Sequence, residues 1–77
     1  MNASLYEIAS LVQGLVVGDE KTKISSLSPI DNIVAGALVF AEGSNNLQLA
    51  EKSPAAAILV NKATTSELKP VIQVAHP

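Results

Sequence analysis

The chain reads as a small α/β domain: a mixed sheet with a parallel strand-helix-strand unit and one amino-terminal helix. Three observations predict it. Ala37-Leu38-Val39-Phe40-Ala41 and Ala55-Ala56-Ala57-Ile58-Leu59-Val60 are short apolar runs of the length expected for buried strands. Between them, Gly43-Ser44-Asn45-Asn46 is a turn that can start a helix, Leu47, Ala50 and Glu51 fall at helical spacing, and Pro54 closes the segment. Two buried strands joined by about a dozen residues of helix form a parallel crossover. The third observation is Ser4-Leu5-Tyr6-Glu7, a capping box placed ahead of apolar residues at helical spacing.

The elements follow in order. Leu5, Ile8, Leu11 and Val12 make one apolar stripe, so the first helix runs from about Leu5 to Gln13, with Gly14 at its carboxyl cap. Leu15-Val16-Val17 is a short strand, and Gly18-Asp19-Glu20-Lys21 a polar turn. Thr22 to Leu27 alternates and reads as one further strand, which Ser28-Pro29 breaks. Ile30, Ile33 and Val34 suit one helical turn, and Ala35-Gly36 leads into the crossover. Asn61 to Ser66 is a polar loop, Glu67-Leu68-Lys69 a helical turn ended by Pro70, and Val71 to Ala75 a last strand. The abrupt finish at His76-Pro77 suggests a piece of a longer protein.

Composition narrows the function. With 77 residues the chain is one domain at most. It contains no Cys, which excludes disulfides and thiolate chemistry, and its one His cannot assemble a zinc site. At 48% hydrophobic with Tyr6 and Phe40 as its only aromatics, it must build its core from Leu, Ile, Val and Ala. Net charge is −2; Lys21, Lys23, Lys52, Lys62 and Lys69 are scattered and Arg is absent, so no nucleic-acid stripe forms. Met1 to Gly14 lacks the positive start of a signal peptide, and no apolar run is long enough to span a bilayer. A cytoplasmic protein without a membrane span is expected.

No catalytic constellation is visible. His76 has no Ser, Cys or carboxylate partner in its sequence context and reads as a loop residue. Ser25, Ser26 and Ser28 lack a base and a strained elbow, and suit a strand end. Gly14, Gly18, Gly36 and Gly43 form no phosphate-binding pattern and suit turns and caps. The crossover rule directs attention to Ala41 to Asn46 and to the residues just after Val60, because ligands settle beyond the carboxyl ends of parallel strands. There, backbone N–H groups around Asn45 and Asn46 can meet an anion or a base edge, and Phe40 can offer a stacking face. The plainer alternative is a buried Phe40, with Ser44 or Asn45 merely capping the helix.

Five blocks carry a family likeness: Gly14-Leu15-Val16-Val17-Gly18-Asp19; Ile24-Ser25-Ser26-Leu27-Ser28-Pro29-Ile30; Ala35-Gly36-Ala37-Leu38-Val39-Phe40; Leu49 through Val60; and Lys69 through Pro77. In this order and spacing they resemble the amino-terminal domain of UDP-3-O-acylglucosamine N-acyltransferase, a family of lipid A biosynthesis. The resemblance implies an accessory domain over 1–77 that contacts the uridine of UDP-acylglucosamine. It further implies a parent that forms a homotrimer through a following parallel β-helix, carries the catalytic His there, and receives a 3-hydroxyacyl group from acyl carrier protein. It implies no cofactor, no metal and no catalytic residue within this piece.

The nucleotide contacts implied are Phe40, Gly43, Asn45 and Asn46. The family usually reads Phe-Leu-x-Asn-x-Lys-Tyr at this point. Phe40 matches, Gly43 stands in place of the Asn, and Asn46 in place of the Tyr. One ring face is thereby missing, a loss of about 1–3 kcal/mol where a base stacks. The amino-terminal domain of the Mur ligases is a second likeness, without its Asp-Gly-His stretch here. A docking module that only covers a neighbouring domain is the alternative of another class.

Overall fold

The computed structural model describes residues 2–61 and 64–75; His76 lies outside them. The elements are β1 (Ala3–Ser4), α1 (Leu5–Val12), β2 (Leu15–Val17), β3 (Lys23–Ile24), β4 (Ser26–Ser28), β5 (Ala37–Phe40), α2 (Ser44–Lys52), β6 (Ala57–Asn61) and β7 (Val71–Val74).

The capping box forms as expected. Ser4 N–H donates to Glu7 Oε1 at 3.0 Å, and Glu7 N–H to Ser4 Oγ at 3.1 Å. These reciprocal bonds hold the Glu7 carboxyl below its ordinary pKa, first through the Ser4 backbone N–H and then through its hydroxyl. The buried stripe of α1 is Leu5, Ile8 and Ala9. Leu11 and Val12, expected on the same stripe, are exposed: Leu11 lies about 120° around the helix from Leu5, off the buried face, and Val12 is the last residue of α1. The left-handed cap also falls one residue earlier than expected, on Gln13 at φ 56°. Gly14 has a different duty: a Cβ there would stand 2.4 Å from Ile72 Cγ2, so the bare backbone lets β2 close against β7.

Five strands form one sheet in the order β2-β7-β6-β5-β4. β4, β5, β6 and β7 are parallel neighbours, and β2 runs antiparallel at the edge. The β5-α2-β6 crossover is therefore present, with Leu38 opposite Ala57 and Phe40 opposite Leu59. Because side chains alternate across a strand, the sheet separates two cores. On one face Leu38, Ala57, Ile72 and Val74 meet Leu5, Ile8, Ala9 and Ile24. On the other, Val39, Ile58, Val60 and Val71 meet Ala41, Ala50 and Ala55, with Ile30, Ile33 and Leu47 packed alongside.

The expected strand Thr22–Leu27 is two strands. β3 pairs with β1 in a separate two-stranded sheet, while β4 joins the main one. The division falls at Ser25, whose N–H and hydroxyl both donate to Gly36 O, at 3.0 and 3.2 Å. Ile30 to Val34 makes no helical turn; Asn32 N–H closes a tight turn on Pro29 O, and Ser28 Oγ accepts from Val34 N–H. Glu67-Leu68-Lys69 is likewise a bend, gathered by Ser66 Oγ, which accepts from the N–H groups of Leu68 and Lys69.

Candidate functional site at the carboxyl ends of two parallel strands

β5 ends on Phe40. Its ring shares the face of Leu38, the α1 side, and is 38% exposed. The buried alternative for Phe40 is thus not the one found. Ala41 follows on the opposite face, 3% exposed, and its N–H donates to Leu59 O at 3.0 Å. Consecutive residues at the end of one strand therefore serve opposite sides of the sheet.

Gly43 is the residue that starts α2. Its backbone, at φ 87° and ψ 159°, lies in a region that is essentially confined to glycine. A Cβ built on it would find nothing within 4 Å, so conformation rather than crowding requires glycine. Leu47 N–H donates to Gly43 O at 3.0 Å and closes the first turn. No side chain caps this helix, neither Ser44 nor Asn45. The first N–H groups of α2 have no intrahelical acceptor.

The four residues singled out from the sequence are distributed as follows. Phe40 presents its ring on the α1 side. Gly43 lines a cleft with Ala41, Ser44, Leu47, Asn61 and Thr64. Asn46 turns back on its own loop, Nδ2 donating to Glu42 O at 3.1 Å. Asn45 is exposed and borders a different depression, with Gln48, Leu49 and Lys52. Asn61 and Thr64 were not named in advance, although the crossover rule pointed to the stretch just after Val60. Thr64 is positioned by its carbonyl, which accepts from Gln73 Nε2 at 2.8 Å.

Among the described residues, Asn46 and Asn61 bring carboxamides, Ser44 and Thr64 hydroxyls and Phe40 a ring to this end of the sheet, beside the helix-start N–H groups. Glu42, two residues beyond Phe40, is exposed. Among the described residues no group of three acidic or imidazole side chains is placed to hold a metal ion. Every buried side-chain nitrogen and oxygen among them has a hydrogen-bond partner. No helix among them is long and apolar enough to cross a membrane.

No protein-family model matches the chain. Curated relatives do, among them two that align over all 77 residues with 57% identity: UDP-3-O-acylglucosamine N-acyltransferase 1 of Legionella pneumophila strain Paris, and the protein of the same name from strain Philadelphia 1. The chain spans 22% of the length of each. Along its entire length, then, the chain is similar to UDP-3-O-acylglucosamine N-acyltransferases, as its ordered sequence blocks led us to expect.

Proposed function

We propose that residues 1–77 form the amino-terminal, uridine-contacting accessory domain of an N-acyltransferase. The parent moves a 3-hydroxyacyl group from acyl carrier protein to the amine of UDP-3-O-acylglucosamine, in the cytoplasmic part of lipid A synthesis, as a homotrimer. The observation that carries the reading is the 57% identity across the whole chain to proteins bearing that activity in their name. The geometry supports it: a parallel crossover ends in an exposed ring and an uncapped helix start, where a ligand is expected. Phe40 stacks on the base, while Gly43 and Asn46 border the approach and Asn45 stands on the neighbouring depression. The amide bond is made elsewhere in the parent, and this piece holds one end of its substrate.

Titration of the 77-residue chain with UDP, followed by amide NMR, tests the reading. Shifts centred on residues 40–47, Asn61 and Thr64 are expected at millimolar nucleotide. Their absence removes the binding role. A docking module is the second reading, motivated by the small size of the chain and by Leu11 and Val12 left exposed on α1. It predicts that a longer form containing the neighbouring domain melts at higher temperature than this chain alone, and equal melting temperatures count against it.

A further inference from the structure

We draw no further inference here: the strongest candidate, the apolar patch on the α1 side of the sheet where Leu27 of edge strand β4 stands exposed beside Leu38 and Phe40 of β5, carries nothing because nothing in the structure shows what covers it.

Discussion

Gly14 is the position where the structure makes its firmest demand on the sequence. In Gly14→Ala the new methyl carbon stands 2.4 Å from Ile72 Cγ2, 3.0 Å from Gln73 O and 3.1 Å from Val74 Cγ1. An ordinary carbon–carbon contact is about 3.5–4.0 Å, so the overlap with Ile72 exceeds an ångström. None of the three neighbours can easily retreat. Ile72 has no exposed surface and Val74 is 4% exposed, both within the core beneath α1, and Gln73 O belongs to the backbone that pairs β7 with β2. Overpacking of this kind costs about 1–3 kcal/mol. For a domain of this size each kcal/mol lowers the melting temperature by about 4–8 °C, which gives a fall of about 4–24 °C. Thermal melts followed by far-ultraviolet circular dichroism measure it. Methyl NMR should show its largest changes at Ile72 and Val74. A melting temperature within about 2 °C of the parent would refute the claim that β2 closes on β7 through this glycine.

Gly43→Ala should also destabilise, by about 1–3 kcal/mol although its surroundings are empty, because the cost is in the backbone conformation; an unchanged urea midpoint contradicts this. Ser4→Ala should cost about 1 kcal/mol through loss of the cap on α1, seen in the same assay. The Glu7 carboxyl has a folded-state pKa below its unfolded value, so its stabilisation is complete above the ordinary glutamate value and is lost as pH falls through the folded one. Glu7→Gln should therefore lower the melting temperature at neutral pH and converge with the parent in acid; a difference independent of pH rules out the charged cap. Ile58→Ala should cost about 2–5 kcal/mol in chemical denaturation, since the side chain is fully buried between β5, β7 and α2.

The features legible in the sequence are those whose causes are local. The capping box is two residues at fixed spacing, and the crossover is two apolar runs with a turn and helical spacing between. Other features are settled by distant partners. Nothing in Ala3-Ser4 marks a strand; it becomes one by pairing with Lys23-Ile24. The alternation of Thr22 to Leu27 is continuous, and only the carbonyl of Gly36, eleven residues away, divides it at Ser25. Ile30 and Ile33 have a spacing that suits a helix, yet a turn places both against the α2-side core equally well. Gln13 takes the left-handed cap, and Gly14 instead meets β7, a contact between distant parts of the chain that spacing cannot reveal. At the candidate site the location was readable and the membership was not. Asn45 and Asn46 are adjacent in sequence, but one helical step of about 100° sends them to different surfaces.

The sheet has a further consequence for whatever molecule settles on this end. Phe40 belongs to the α1 side and Gly43 to the α2 side, and the hydrophobic clusters of the two sides lie on opposite faces of the sheet. A guest that touches both acts as a clasp across the rim. Its grip would slow amide exchange in both halves at once, although each half has its own helix and its own interior.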